Sequence, residues 1–122
     1  MAKVMIVDDA VFMRTMIRHI VTEMGHEVVA EAPNGAEAVK LYTECRPDVV
    51  TMDITMPDMN GITAVTHIIE FDPAARIIMC SAMGQHRMVL DAIQAGAKDF
   101  IVKPLIKHRV MESIQNVLGQ RM

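Results

Sequence analysis

The stretch VMIVDDA, residues 4–10, begins as an apolar run and ends in two adjacent carboxylates. The run is too short for a helix of its own and is typical of a buried β-strand. Asp8 and Asp9 therefore stand at the carboxyl end of a predicted strand, where they repel each other. A third acid, Asp53, follows another apolar run in the same way. The pattern indicates a shared site for these acids.

Strand-like and helical stretches alternate five times along the chain. The predicted strands are Lys3–Val7, Glu27–Glu31, Asp48–Met52, Arg76–Cys80 and Asp99–Val102. The predicted helices are Val11–Met24, Ala36–Cys45, Ile62–Phe71, Gln85–Ala95 and Ile106–Leu118. This alternation predicts an α/β fold with a single, doubly wound, five-stranded parallel sheet flanked by five helices. All strands but the second are continuous apolar runs, which is typical of strands buried on both faces.

Composition limits the classes of protein to which the chain can belong. Its 122 residues are 52% hydrophobic and 22% charged, as in one globular domain. We expect a cytoplasmic protein, because no apolar run approaches the roughly 20 residues of a membrane span and the N-terminus lacks a signal-peptide pattern. A net charge of −3 without a basic cluster argues against nucleic-acid binding. Cys45 and Cys80 are predicted to be free thiols.

Polar side chains follow four of the five predicted strands. Asp8 and Asp9 follow the first strand, Asp53 the third, Ser81 the fourth and Lys103 the fifth. The carboxyl ends of parallel strands share one edge of the sheet, where ligands bind. A flavodoxin-like strand order, 2-1-3-4-5, would place these four strands side by side, about 4.8 Å apart. We therefore expect these five side chains to meet.

The chemistry of this group points to phosphoryl transfer. Clustered carboxylates favour a counter-charge, and oxygen ligands with open positions suit Mg²⁺. A carboxylate such as Asp53 can attack as a nucleophile and form an acyl phosphate, while Ser81 and Lys103 can bind the transferred oxygens. Taken singly, each residue has an ordinary explanation as a helix cap, a first-turn acid or a turn residue. The agreement of four strand ends favours the functional interpretation.

The chain resembles the response-regulator receiver domain, and in particular the single-domain receivers of chemotaxis. The stretches that carry the resemblance are IVDDA at 6–10, DVVTMDITMPDMNG at 48–61, IIMCSAMG at 77–84 and KDFIVKP at 98–104. The resemblance covers essentially the whole chain and implies one receiver domain over residues 1–122, without an output domain. It implies a signalling protein that is no enzyme beyond assisting its own phosphorylation and dephosphorylation.

The resemblance assigns a role to each residue of the predicted site. Asp53 would be the phosphoacceptor, and it would ligate Mg²⁺ together with Asp9 and the backbone carbonyl of Thr55. Asp8 would hold a water molecule bound to the metal. Ser81 and Lys103 would contact the phosphoryl oxygens, and the peptide bond from Lys103 to the following proline would be cis.

The resemblance also implies a switch and a face for partners. Ser81 would move toward the phosphoryl group while the ring of Phe100 swings inward. This chain has Phe where many relatives have Tyr, so the switch has no phenol hydroxyl. Partners would bind the face of the fourth helix, fifth strand and fifth helix. The candidate residues on that face are Gly84, His86, Val89, Phe100 and Val102.

The implied pathway starts at a histidine kinase and ends at the flagellar motor switch or its adaptor, with a phosphatase as a further candidate partner. The chain is expected to act as a monomer that binds neither nucleic acid nor membrane. Within the family, a phosphorelay intermediate and a phosphate sink remain alternatives.

Two other classes of protein share parts of the pattern. A flavodoxin-type carrier would need a hydroxyl- and glycine-rich phosphate loop where Asp8 and Asp9 stand. A phosphatase with an Asp nucleophile, of the haloacid-dehalogenase type, would place that residue after the first strand in a D-x-D pattern and usually carry a cap insertion. It remains the enzymatic alternative.

Overall fold

The computed structural model describes residues 1–119, in which strand and helix alternate five times. The strands are β1 Lys3–Val7, β2 Glu27–Ala32, β3 Val49–Asp53, β4 Ile77–Ser81 and β5 Asp99–Val102. The helices are α1 Val11–Glu23, α2 Gly35–Cys45, α3 Gly61–Phe71, α4 His86–Ala95 and α5 Lys107–Gly119. All neighbouring strands are parallel, in the order β2-β1-β3-β4-β5. The predicted fold class is confirmed.

Local chemistry fixes where several helices begin and end. The side chains of Asn34 and Asn60 accept hydrogen bonds of 2.9 Å from backbone N–H groups in the first turns of α2 and α3, as N-caps do. The α2 helix ends where Arg46 turns into the left-handed region. Its guanidinium carbon lies 4.8 Å from the centre of the Phe71 ring, which pairs the ends of α2 and α3.

The sheet separates two apolar layers, because alternate residues of each strand point to opposite faces. On one face, Met5 and Met52 pack with residues of α2, α3 and α4. On the other, Val4 and Ile6 pack with residues of α1 and α5. Cys45 and Cys80 are free thiols, as predicted. No helix within residues 1–119 is both long enough and apolar enough to cross a membrane.

Two sequence predictions about the strands need correction. Strands β2, β3 and β4 each end one residue later than predicted, so Ala32, Asp53 and Ser81 are their last residues. The expectation that the fifth strand is buried on both faces is wrong. Within β5 only Ile101 is buried, while Phe100 and Val102 are exposed. The cause is that β5 lies at the edge of the sheet and its neighbouring helix α4 leaves part of it uncovered.

Candidate functional site

Three carboxylates meet at the carboxyl edge of the sheet. Strands β1 and β3 are neighbours, and Val7 lies opposite Met52. The residues that come next, Asp8 and Asp53, therefore lie side by side. Asp8, Asp9 and Asp53 bring carboxylate oxygens within 4.8 Å of one another. Asp8 and Asp53 are buried, whereas Asp9 is exposed. An all-oxygen group of this size suits a hard divalent cation such as Mg²⁺.

Lys103 lies across the end of β4 and reaches this cluster. Its ammonium nitrogen lies 3.1 Å from Oδ2 of Asp8 and 3.2 Å from Oδ1 of Asp53. Its backbone N–H donates a 2.7 Å hydrogen bond to the carbonyl of Ser81, and the bond to Pro104 is cis. Burial lowers the pKa of the ammonium, but the charges of Asp53 and Asp8 outweigh burial and raise it. Lys103 is therefore a fixed positive charge.

The ionised form of the Asp53 carboxyl group is disfavoured by its surroundings. Burial, followed by the negative charge of Asp8, raises its pKa from 3.8 to about 6, although Lys103 acts in the opposite direction. The group is 6% exposed, so water stabilises its charge poorly. Added positive charge at this point would stabilise the ionised form, which is the form able to act as a nucleophile.

The two oxygens of Asp8 are already engaged. Oδ1 accepts a 2.9 Å hydrogen bond from the N–H of Ala10, and Oδ2 accepts the one from Lys103. The backbone carbonyl of Asp8 accepts a 2.6 Å hydrogen bond from Arg14, which also pairs with Glu31 at 3.4 Å. The sequence reasoning did not identify Arg14. Arg14 lies one turn into α1 and faces Glu31 on β2, and this pairing of a basic with an acidic residue is the feature from which it could have been identified.

Gly61 provides the space in which the Asp53 backbone sits. A Cβ atom at Gly61 would lie 2.2 Å from the carbonyl oxygen of Asp53 and 2.9 Å from Cα of Ile54. The N–H of Gly61 donates a 2.7 Å hydrogen bond to the carbonyl of Ile54. Gly61 falls just before the predicted third helix, which was expected to start at Ile62, and the close approach of two backbones there is a tertiary feature that the sequence does not reveal.

Ser81 is the last residue of β4, and Thr55 lies on the loop that leaves β3; both are beside the carboxylates. The Ser81 side chain is buried, and its hydroxyl makes no hydrogen bond to any group in residues 1–119. Thr55 is exposed, and its hydroxyl accepts a 2.9 Å hydrogen bond from Nε2 of Gln85. Oε1 of Gln85 accepts a 2.6 Å hydrogen bond from the N–H of Ala82. Sequence reasoning gave Gln85 no role beyond starting a helix.

An apolar groove of about 390 Å³ opens next to this site, between the start of α4 and the edge strand β5. All five residues predicted for the partner face line it, together with others such as Met83 and Leu90. Phe100 is 41% exposed, so its ring stands on the outside of the molecule in this arrangement. Val89 differs from the other four candidates, because it is buried in the core beneath the groove.

Comparisons with known proteins agree on one family. A sequence model of the response regulator receiver domain matches residues 4–115. The chain is 64% identical over 117 residues to chemotaxis protein CheY of Bacillus subtilis, covering 96% of this chain and 98% of that one. It is 60% identical over 115 residues to chemotaxis protein CheY of Thermotoga maritima, covering 94% and 96%.

A solved structure extends the comparison to three dimensions. One chain in the crystal structure of the CheX-CheY-BeF3-Mg²⁺ complex from Borrelia burgdorferi is 44% identical and superposes with a TM-score of 0.91. The match covers 94% of this chain and 87% of that chain.

Proposed function

The chain belongs to the response regulator receiver family of phosphorylatable two-component regulators, and from this premise we propose that Asp53 accepts a phosphoryl group from a histidine kinase in a Mg²⁺-dependent reaction. The observation that supports the proposal most directly is the ammonium of Lys103, which bridges Asp8 and Asp53 within a cluster of three carboxylates. A cluster with a single fixed cation retains negative charge that a metal ion can offset.

The proposed transfer moves the phosphoryl group from nitrogen to oxygen. An oxygen of the Asp53 carboxylate attacks phosphorus, the P–N bond of the kinase phosphohistidine breaks, and the imidazole leaves with its electron pair. The product is an acyl phosphate. When the signal ends, water attacks phosphorus, the O–P bond breaks, and the products are free carboxylate and inorganic phosphate. Lys103 and Ser81 would bind the equatorial oxygens, where charge accumulates.

Two of the three carboxylates would bind the metal ion directly, and the third would orient a water molecule on it. Asp9 and Asp53, with the carbonyl of Thr55, would hold Mg²⁺. When bound, the ion supplies positive charge that offsets the acids and the phosphoryl oxygens. Asp8 would instead orient a water molecule on the ion, because both of its oxygens already accept hydrogen bonds within the protein. Asp9 has an exposed carboxylate that is open to a ligand.

We propose chemotaxis as the pathway, with a kinase as the source of the signal and the flagellar motor switch or its adaptor as its target. The names of the B. subtilis and T. maritima relatives support chemotaxis. These partners would place the chain in the cytoplasm. The Borrelia complex contains CheX together with CheY, BeF3 and Mg²⁺, which supports a further protein partner that binds while the site is filled.

The groove beside β5 is the proposed output surface. Movement of Ser81 toward the phosphoryl group would leave space for the Phe100 ring to turn inward, and this changes the wall of the groove that partners contact. The ring is exposed in the present arrangement, which is consistent with the unphosphorylated state. The chain would act as a signalling protein whose chemistry is limited to its own acyl phosphate.

Labelling with radioactive acetyl phosphate in the presence of Mg²⁺ tests the acceptor. Asp53→Asn should lose at least about 100-fold in labelling rate, because the amide is a poor nucleophile. Asp91→Asn, the same change at an exposed position on α4, should label like the parent. Chelation of Mg²⁺ should also stop labelling of the parent. Stoichiometric labelling of Asp53→Asn would refute the assignment.

A second assay separates the chemotaxis signal from the phosphorelay alternative. Phosphorylated protein is mixed with a histidine phosphotransfer domain, and loss of label is compared with hydrolysis in buffer. A terminal regulator should lose its phosphoryl group to water at the same rate in both mixtures. Transfer to the histidine that is much faster than hydrolysis would favour a relay intermediate or a phosphate sink.

A further inference from the structure

The carboxamide of Gln85 joins two loops of the site. Its Nε2 donates a 2.9 Å hydrogen bond to the hydroxyl of Thr55, and its Oε1 accepts a 2.6 Å hydrogen bond from the N–H of Ala82. Thr55 lies two residues after Asp53, and Ala82 directly follows Ser81. One side chain therefore ties the loop after β3 to the loop after β4. We call this pair of hydrogen bonds the Gln85 bridge.

The bridge has no role in starting the adjacent helix. Gln85 occupies the N-cap position of α4, but its side chain makes no capping hydrogen bond to that helix. The side chains that favour this position, those of Ser, Thr, Asp and Asn, accept a hydrogen bond from an N–H of the first helical turn. The Gln85 side chain instead points back across the site. Its one side-chain contact with the helix among the described residues is a weak hydrogen bond of 3.8 Å from Nε2 to Sδ of Met88.

The bridge belongs to an arrangement in which Ser81 does not yet contact the acceptor. The Ser81 hydroxyl makes no hydrogen bond with Asp53 or with any other group of the described chain. The residue after it is held instead by Gln85. A shift of Ser81 toward a phosphoryl group on Asp53 moves Ala82 with it, and Ala82 is one end of the bridge.

We propose that Gln85 is a positioning residue that holds the Ser81 loop in its resting arrangement and thereby slows phosphorylation of Asp53. The proposal rests on Asp53 being the acceptor. Two arrangements of the loop are then in equilibrium, and the bridge favours the resting one. Loss of about one net hydrogen bond should shift such an equilibrium by roughly fivefold.

The rate of labelling by acetyl phosphate at saturating Mg²⁺ tests the proposal. Gln85→Met keeps the length and the apolar stem of the side chain but removes the bridge, and it should label about fivefold faster than the parent. Thr55→Val removes one end of the bridge and should also accelerate labelling. The double variant should be no faster than Gln85→Met, because both changes break the same connection. Gln94→Met, an exposed glutamine on the same helix, is the matched control.

The amide resonance of Ala82 provides a readout that needs neither metal nor phosphodonor. Its proton should move upfield in Gln85→Met, since a short hydrogen bond is lost, and should stay in place in Gln94→Met. Fully additive acceleration in the double variant, or an unmoved Ala82 resonance, would overturn the bridge. So would labelling of Gln85→Met within twofold of a labelled parent, which leaves the proposed function intact. A parent that takes no label at all overturns the proposed function and this inference together.

Discussion

The ammonium nitrogen of Lys103 lies 3.2 Å from Oδ1 of Asp53, although fifty positions separate the two residues in sequence. The same nitrogen lies 3.1 Å from Asp8. One cation therefore serves two buried carboxylates, and its loss leaves both uncompensated. Asp53 ends β3 and Lys103 follows β5, and β4 lies between these two strands. The contact between the two residues therefore requires the long, flexible stem of a lysine.

Replacement of Lys103 by Met should destabilise the protein in Mg²⁺-free buffer at neutral pH. Removing one partner of a buried ion pair costs about 3–5 kcal/mol, and we expect the lower end, about 3 kcal/mol, because the lysine is 24% exposed and Asp53 can take up a proton instead. Urea denaturation measures the change. Lys98→Met, an exposed lysine, should change the free energy of unfolding by less than about 0.5 kcal/mol. Equal stability of the two variants would show that Lys103 does not compensate the acids.

Asp53→Asn should stabilise the Mg²⁺-free protein, and the gain should depend on pH. Folding raises the pKa of this carboxyl from 3.8 to about 6, so the folded state binds more protons than the unfolded state between these values. The contribution of Asp53 to stability therefore falls as the pH rises from about 4 to about 6, and above that it is unfavourable by about 3 kcal/mol. Asn carries no charge at any pH and avoids this loss.

Urea denaturation of the parent and of Asp53→Asn from pH 4 to pH 8 measures the difference. Other acids titrate in the same range, and those that lie outside the Asp8, Asp9 and Asp53 cluster cancel between the two proteins. The variant should be more stable at pH 7.5, and the gap should close toward pH 4. A gap that is constant with pH would mean that the pKa of Asp53 is not raised in the folded state.

The fold could be predicted because its signals are local. Short strand-like runs of four or five residues alternate with amphipathic helices, and this pattern favours a parallel sheet. The strand order had a different source: 2-1-3-4-5 is the documented order of flavodoxin-like folds, chemotaxis receivers among them, so it came with the family. The prediction that the fifth strand is buried on both faces was wrong, because the apolar residues of DFIV suit an edge strand beside a groove as well as a central strand.

In the candidate site too, some residues could be located from the sequence and others only from the structure. The polar residues at the strand ends, such as Asp8 and Lys103, stand out against apolar neighbours, so sequence alone could locate them. Arg14 and Gln85 stand within helical stretches where arginine and glutamine are ordinary surface residues. Their contacts with the Asp8 carbonyl and with Thr55 depend on loop positions that no periodicity encodes.

Gly61→Ala should destabilise the protein although alanine favours helices. Within a helix, alanine is better than glycine by about 1 kcal/mol. At this position, however, the added methyl would meet the Asp53 carbonyl at 2.2 Å, so the loop must shift away from β3. We expect a loss of about 2 kcal/mol or more and slower labelling of Asp53. Gly119→Ala is the control, because a Cβ added there would meet no packed neighbour within 4 Å among the described residues; it should be neutral or slightly stabilising.

Thr51→Val should stabilise the protein. Thr51 lies on β3 between Ile6 and Ile78, it is 0% exposed, and its hydroxyl has no hydrogen-bond partner in residues 1–119. Valine has nearly the same shape without the polar group. Burial of an unpaired hydroxyl costs about 1–3 kcal/mol in proteins, so we expect a gain of about 1 kcal/mol.

Urea denaturation with an unchanged m-value measures this gain. Thr22→Val, the same substitution at an exposed position on α1, should change the free energy of unfolding by less than about 0.5 kcal/mol. The labelling rate of Thr51→Val should equal that of the parent, because the residue lies among side chains of the α1 and α5 layer and its hydroxyl is hydrogen-bonded to no group in residues 1–119. A loss of stability in Thr51→Val would show that the hydroxyl is paired, with an internal water as the natural partner.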